Sequence, residues 1–424
     1  MRDRLSVALA GAIALATTAG PAVAAPTLSL VKYIAVPADT ATNVQPGGAF
    51  SAFDISYADP VTGDIFIADR SNAGVDIFSG SSLTFLGRAT GFAGQQATTS
   101  VSGPDGVLTV TSGGTTTLYA GDGDSTLKVI NATNPLSPTQ LQSISTGGST
   151  RVDEMAYSPT AHLVLAANNA ETPAYGNLFS TSGPPGSPAT LIASHITVPA
   201  AQGGITTGGM EQPVWDPNTG TFFVSIPALA GTNNPGGVAE ISTTGVVLRT
   251  IDFGTMGISK CGPAGLAVGA SGNLMVGCSA VGAGAIVLNP TGAGSIVKTF
   301  AGVGGTDELW YDPTTKDFYV TGSDGTNSTR FFDVITDNLL GGIIADLVNL
   351  PVTTSAHSIA VDPFNGDVFV PLAGTSAVDP CPVSFANPGC IAVFAAPEPG
   401  SMPLLVVGLA GLMALAVRRR VHSG

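Results

Sequence analysis

The sequence is poor in charged, basic and aromatic residues. Of its 424 residues, 10% are charged and 6% are aromatic, and Lys plus Arg number only 15 against 29 Asp plus Glu. Between the two ends of the chain this excess of negative charge argues against nucleic acid or anionic lipid as a partner. Gly, Ser, Thr and Ala are abundant instead, a composition typical of an extracellular β-protein.

Catalytic signatures are also absent. The sequence has four histidines, and none lies in an H-E-x-x-H segment or beside a G-x-S-x-G nucleophile motif. The glycine-rich segment 302–308 is not a phosphate-binding loop, because no Gly-Lys-Ser/Thr follows it. The sequence therefore identifies no catalytic residue.

The four cysteines fall into two close pairs. Cys261 and Cys278 flank two apolar strands around an Ala-Ser-Gly-Asn turn, and an antiparallel hairpin brings such ends side by side. Cys381 and Cys390 bracket a short Pro-rich loop. Neither pair has metal-site spacing with a nearby histidine. We predict two structural disulfides, formed in an oxidising compartment.

The N-terminal residues 1–25 have the pattern of a secretory signal peptide. Arg2 and Arg4 precede an apolar stretch at 5–16, and Ala22-Val23-Ala24 matches a small-residue cleavage site. A membrane-spanning helix is the weaker interpretation, because Gly20 and Pro21 end a run that is too short to span. The pattern predicts export.

The C-terminal segment 397–424 combines three features in order: a Pro-Glu-Pro triplet, an apolar stretch at 402–417 and an arginine cluster. The residues concerned are Pro397, Glu398, Pro399, Arg418, Arg419 and Arg420. This order resembles the PEP-CTERM sorting signal of Gram-negative bacteria. The resemblance implies a short transmembrane sorting helix, processing by an exosortase-type enzyme, and release or attachment outside the cell. A plain C-terminal membrane anchor is the alternative.

A hairpin repeat runs through the body between these ends. Its copies begin 51, 49, 58, 52, 44 and 50 residues apart, and each reads as a strand, a turn and a second strand. Asp, Pro and Gly recur in the turn, as in Asp59-Pro60 followed by Gly63, because each residue favours one position of a tight turn. Seven hairpins with this period predict an all-β, seven-bladed β-propeller.

The two ends of the body complement each other. After the seventh hairpin only one further strand remains, from Cys390, so the last blade lacks its outer strand. Segment 29–36 resembles the outer strand at 295–302, which predicts that the N-terminal strand closes the seventh blade. We expect one domain over 26–396. Two stacked β-domains are the alternative, although no linker separates them.

The hairpin pattern is similar to that of the YVTN-type or YncE-like repeat propellers. The resemblance lies in the Asp-Pro-x-(Thr/Asn)-Gly turn and in second strands such as 317–322, and it covers the chain from about 29 to 395. The family includes surface proteins, proposed scaffolds and some enzymes. The resemblance therefore implies the fold and leaves the activity open.

Acidic residues precede the first strand of most repeats. In a propeller these positions crowd one mouth of the central channel, so the sequence predicts a polar rim. Its members are Asp54, Asp105, Asp153, Glu154, Glu211, Asp307, Glu308 and His357. Three roles remain open: hydrogen bonding to channel waters and neighbouring blades, binding a divalent cation such as Ca²⁺, or activating water as in lactonases of the gluconolactonase type.

Together these features predict an exported binding or scaffold protein of the cell surface. Exopolysaccharide or another surface protein is the partner class that the sorting-signal resemblance implies, with membrane contact only transient. The alternative is a metal-dependent, lactonase-like hydrolase that uses the acidic channel mouth.

Overall fold

A computed structural model describes most of the body of the chain. The described residues are 28–395 without 185, 206–208, 231–233, 281–282, 302–303, 324–329, 337–343 and 350–356, and the backbone alone is described at 323, 330–336 and 344–349. The predicted signal peptide (1–25) and sorting segment (397–424) lie outside this part. Across the described residues no helix is both long and apolar enough to cross a membrane.

The described strands form seven four-stranded antiparallel sheets, numbered here in chain order from the innermost strand outwards. Sheets 1 and 2 contain β2 (Phe53–Ala58), β3 (Asp64–Asp69), β4 (Gly74–Ser79) and β5 (Thr84–Thr90), then β6 (Val107–Ser112), β7 (Thr115–Gly121), β8 (Thr126–Asn131) and β9 (Thr139–Ser145). Sheets 3 and 4 contain β10 (Met155–Ser158), β11 (Leu163–Asn168), β12 (Tyr175–Ser180) and β13 (Thr190–Ile196), then β14 (Pro213–Asp216), β15 (Thr221–Ile226), β16 (Gly237–Ile241) and β17 (Val247–Asp252).

The remaining sheets follow the same order. Sheets 5 and 6 contain β18 (Pro263–Val268), β19 (Leu274–Cys278), β20 (Ala285–Asn289) and β21 (Ser295–Phe300), then β22 (Leu309–Asp312), β23 (Asp317–Ser323), β24 (Arg330–Thr336) and β25 (Ile344–Asn349). Sheet 7 contains β26 (Ala360–Val361), β27 (Val368–Leu372), β28 (Cys390–Ala395) and, outermost, β1 (Ser29–Ala35). Short 3-10 helices lie at Pro46–Gly48, Thr99–Val101 and Ala200–Gln202.

The innermost strands contact one another in cyclic order, from β2 through β6, β10, β14, β18, β22 and β26 back to β2. The predicted all-β propeller class is thus confirmed. Apolar clusters fill the space between neighbouring sheets; Leu165 of sheet 3, for example, packs with Phe222 and Val224 of sheet 4. Burial of these inner faces is the main force holding the sheets face to face.

The hairpin turns have the chemistry that the repeat predicts. Asp59 Oδ1 accepts the backbone N–H groups of Val61 and Thr62, each at 2.8 Å, and Gly63 has a φ of +73°. In sheet 6 Lys316 occupies the glycine position, also with a left-handed φ of +62°. Asp59 has a second role, because its Oδ2 accepts the Thr109 hydroxyl at 2.7 Å and so connects sheets 1 and 2.

The N-terminal strand β1 closes sheet 7, as the sequence predicts. It pairs antiparallel with β28, with Ser29 opposite Ala395 and Ala35 opposite Cys390. The strand that ends the described chain thereby acquires a partner on its open edge. No edge of β28 is left for pairing with another molecule.

Both predicted disulfides are confirmed. Cys261 and Cys278 are joined across the inner hairpin of sheet 5, with Cα atoms 4.6 Å apart. Cys381 and Cys390 are joined with Cα atoms 6.0 Å apart, which ties the Pro-rich loop to the start of β28. The second disulfide therefore restrains β28, which is the strand that pairs with β1.

We expect the closing strand to contribute strongly to stability. Ile34 is 5% exposed and packs with Phe53 and Phe369 of the two sheets that meet there. Ile34→Ala should lower the free energy of unfolding by about 2–4 kcal/mol, because it leaves a cavity in this cluster. Val31→Ala on the same strand, where Val31 is 49% exposed, should change it by less than about 0.5 kcal/mol. Urea unfolding measures both, and equal effects would contradict the closure role.

Candidate functional site

The ring closure brings three of the predicted rim residues together. Donor atoms of Asp54, Asp307 and His357 all lie within 4.8 Å of one another. The three residues come from sheets 1, 6 and 7, and His357 Nε2 is 3.5 Å from Asp54 Oδ1. The imidazole also stacks on Phe53, with ring centroids 4.5 Å apart. We call this group the three-sheet cluster.

A buried arginine that the sequence analysis did not single out lies beside this cluster. Arg70, just after β3, is 7% exposed. Its guanidinium contacts Asp54, and its Nε donates to Asp105 Oδ1 at 2.7 Å. Burial alone would raise the pKa of Asp54, but Arg70 and His357 outweigh it and hold that pKa below its usual range. For Asp105 burial prevails, and its pKa lies well above the ordinary value.

A second arginine network lines the same mouth of the channel. Arg151 Nε lies 2.8 Å from Asp153 Oδ2 and donates to Asn169 Oδ1 at 3.0 Å. Asn169 in turn donates to Glu211 Oε2 at 3.3 Å. Burial raises the pKa of Asp153 to about 7 and that of Glu211 well above its ordinary value. A cavity of about 380 Å³, the mouth cavity, opens beside Arg151 and Glu211.

Glu308 has a different environment from its neighbour Asp307. Its Oε2 accepts the backbone N–H groups of Ile359 at 3.1 Å and Ser56 at 3.3 Å, together with the Ser358 hydroxyl. Burial still raises its pKa well above the ordinary value. Glu308 therefore links sheets 6, 7 and 1, which is the hydrogen-bonding role left open by the sequence.

Glu154 is the exception among the buried acids. It is 2% exposed, and neither carboxyl oxygen has a hydrogen-bond partner among the described residues. Burial, followed by the nearby charges of Glu211 and Asp153, raises its pKa well above the ordinary value. The side chain lines a cavity of about 600 Å³ enclosed by the innermost strands. We call it the aromatic cavity, after its five aromatic wall residues: Tyr57, Tyr157, Trp215, Trp310 and Tyr311.

The sequence analysis missed several channel residues, among them Arg70, Arg151 and Gln212. Gln212 Oε1 accepts the backbone N–H groups of Leu266 at 2.6 Å and Leu309 at 3.1 Å. For the arginines a signal was available: basic residues are so scarce in this chain that each one near a rim acid is a candidate partner. No repeat pattern marks the glutamine.

Comparison with known proteins supports the fold and nothing finer. No model of a known family matches the chain, and no curated protein matches it significantly in sequence. A solved structure of hydrazine synthase from Kuenenia stuttgartiensis is similar at a TM-score of 0.53 and 14% identity, over 81% of this chain and 100% of that one.

Two further solved structures are similar in the same way. A chain of the mitotic checkpoint complex gives a TM-score of 0.55 at 11% identity, over 91% of this chain and 99% of that one. Raptor from Chaetomium thermophilum gives 0.55 at 10% identity, over 88% of this chain and 29% of that one. The TM-scores indicate a shared β-propeller fold, and identities this low carry no argument about activity.

The buried Arg70 pairing should be important for stability, and its effect should depend on pH. Arg70→Met leaves Asp54 buried without its main counter-charge, which costs roughly 3–5 kcal/mol at pH 7.5. Asp54 has a lowered folded pKa, so its pairing contributes above the unfolded pKa of about 4 and is lost as pH falls through the folded value. In the variant the pKa of Asp54 is higher, because Arg70 no longer opposes the effect of burial, and this carboxyl takes up a proton at a higher pH than in the wild-type protein. The cost should therefore shrink at pH 4.5.

Urea unfolding at the two pH values measures this difference. Lys32→Met is the control, because Lys32 is exposed and, among the described residues, donates only to the Leu83 carbonyl, at 2.8 Å. It should cost less than about 1 kcal/mol at either pH. A cost for Arg70→Met no larger than that of Lys32→Met would contradict the assigned pairing.

Proposed function

We propose that this chain is an exported, seven-bladed binding or scaffold propeller of a Gram-negative cell surface. The proposal combines the predicted signal peptide (1–25) with the sorting segment (397–424), on which an exosortase-type enzyme would act. Two disulfides within the propeller are consistent with an oxidising compartment. The YVTN or YncE-like resemblance favours a surface protein, and exopolysaccharide or another surface protein is the proposed partner class.

The observation that carries the scaffold proposal is the way the channel acids are used. Arg70 joins Asp54 of sheet 1 to Asp105, which precedes sheet 2. Glu308 accepts hydrogen bonds from residues of sheets 1 and 7. Acids that hold neighbouring sheets in place are already committed to structure. The structural role of these acids favours a rigid binding platform over a hydrolytic centre.

We further propose that the three-sheet cluster binds one divalent cation. Asp54, Asp307 and His357 offer two carboxylates and one imidazole within the span of a single ion. Carboxylates suit Ca²⁺ and Mn²⁺, whereas imidazole suits Zn²⁺ and other transition metals. A cation here would reduce the repulsion among the buried acids. It would also add a cross-link among sheets 1, 6 and 7.

One observation keeps a metal-dependent, lactonase-like hydrolase as the second candidate. The charge of Asp307 contributes to the raised pKa of Glu211, which lines the mouth cavity, so the cluster lies within electrostatic reach of that cavity. Asp153, with a pKa of about 7, is suited to accept a proton near neutral pH. A bound cation could then activate water beside a proton acceptor.

Metal analysis tests the cation site. After dialysis against Ca²⁺, Mn²⁺ or Zn²⁺ in turn, we expect about one equivalent of the preferred cation per chain. His357→Gln and Asp307→Asn should lose it, because each removes one of three ligands. Glu211→Gln is the matched control: it neutralises an acid of the same mouth outside the cluster and should keep the metal.

Circular dichroism checks that each variant remains folded. Failure of the wild-type protein to retain any of the three cations would refute the cation site. The same metal-loaded protein, assayed on a panel of lactones, discriminates the two functions. Hydrolysis that disappears in His357→Gln would favour the enzyme, and rates at background would favour the scaffold.

Processing of the C-terminal segment gives a separate test. In a host that contains an exosortase, extracellular protein should end before the arginine cluster, as mass spectrometry of the C-terminal peptide would show. Replacing Pro397, Glu398 and Pro399 by Ala should leave the tail in place and keep the protein with the membrane fraction. Replacing the exposed Thr139, Gln140 and Ser143 by Ala is a control for general damage to export. An intact tail on wild-type extracellular protein would refute processing.

A further inference from the structure

The aromatic cavity lies on the axis of the propeller and is distinct from the three-sheet cluster. Its wall comes from the innermost strands of sheets 1 to 6, and its volume of about 600 Å³ lies within the range of small-molecule pockets. Pro60, Pro159 and Pro313 of the hairpin turns also line it and are exposed. The cavity therefore reaches the surface on the side where these turns lie. Asp54, Asp307 and His357 are not among its lining residues.

Aromatic side chains dominate the wall of this cavity. Tyr157, Trp215 and Tyr311 occupy the same position of the repeat, directly before the turn, in sheets 3, 4 and 6. Tyr57 and Trp310 come from one position earlier and contact each other edge to face, with ring centroids 5.5 Å apart. All five are only half-buried although they are large and mainly apolar. Their remaining surface faces a space that a ligand can fill.

The cavity also contains polar groups without partners. Neither oxygen of the Glu154 carboxyl is hydrogen-bonded within the described part of the chain, and the same holds for the indole Nε1 of Trp215. A buried polar group without a partner is destabilising, and a charged one more so. The other carboxyl in the wall, that of Glu308, is already hydrogen-bonded to Ser358 and Ile359. Glu154 is thus the acid that lacks a structural role.

The charge of the wall is one-sided. Its lining residues include Glu154 and Glu308 but no Lys, Arg or His. A carboxylate surrounded by Tyr and Trp rings is an environment that attracts an organic cation, through ion pairing and through the negative faces of the rings. A neutral apolar molecule would leave the Glu154 carboxyl without a partner. An anion would meet no positively charged side chain among the lining residues.

We propose that the aromatic cavity binds a small organic cation, an ammonium group on an apolar body, with Glu154 as the counter-ion. The apolar body lies against the Tyr and Trp rings, and the ammonium group reaches the carboxyl. This inference goes beyond the scaffold function, because it assigns a soluble ligand to the other side of the channel.

Intrinsic fluorescence offers a specific readout. The chain has two tryptophans, Trp215 and Trp310, and both line this cavity. Phenethylammonium is the probe, and phenethyl alcohol is its neutral control of similar shape and size. Titration of the full purified chain at pH 7 should change the tryptophan emission with phenethylammonium, at an affinity at least about tenfold higher than with the alcohol.

The Glu154→Gln variant tests the counter-ion. It keeps the side-chain shape and should weaken phenethylammonium binding by about tenfold while changing alcohol binding by less than about threefold. Glu171→Gln is the matched control, because Glu171 lies at the mouth cavity; it should leave both affinities unchanged. If Glu154→Gln does not fold, Trp310→Leu should weaken binding of both probes through loss of the ring. Equal affinity of the wild-type protein for both probes, or no binding of either, would overturn the proposal.

Discussion

Strand β1 hydrogen-bonds along its length to β28, and this pairing joins the two ends of the propeller. The consequence extends to the channel. Asp54 and His357 are separated by most of the chain, yet His357 Nε2 lies 3.5 Å from Asp54 Oδ1 because sheets 1 and 7 are neighbours in the closed ring. The bond from Ser56 to Glu308 has the same dependence, because it joins sheet 1 to sheet 6. A propeller opened at this point would lose the contact of sheet 1 with sheet 7 that the three-sheet cluster needs, whereas sheets 1 to 6 would keep all of their own strands.

Consecutive residues at the start of the innermost strands supply the two sides of the channel. Glu211 lines the mouth cavity, whereas the next residue, Gln212, lines the aromatic cavity. Likewise Asp307 belongs to the three-sheet cluster, and the following Glu308 lines the aromatic cavity. Successive side chains of an extended segment point in opposite directions. Adjacent acids in the repeat are therefore members of two different sites.

The repeat made most of the fold predictable, because its information is local. A turn that needs Asp, Pro and Gly can be recognised from the residue types alone. The turn from Asp59 to Gly63 has the expected geometry, with a carboxylate that accepts a backbone N–H and a glycine of positive φ. The disulfides and the closing strand followed from the same pairing logic. The site was less predictable, because whether an acid is satisfied depends on residues of other repeats. Nothing around Asp105 in the sequence indicates that it accepts a hydrogen bond from Arg70.

The buried acids differ in how their charge is compensated, and this difference separates structure from function. Asp54 has Arg70, Asp153 has Arg151, and Glu308 has hydrogen bonds from three residues. Glu154 has none of these within the described residues, although it is as deeply buried. Folding gains nothing from an uncompensated buried carboxyl, and an apolar residue there would be more stable. The buried Glu154 carboxyl is therefore best explained by a ligand that binds to it.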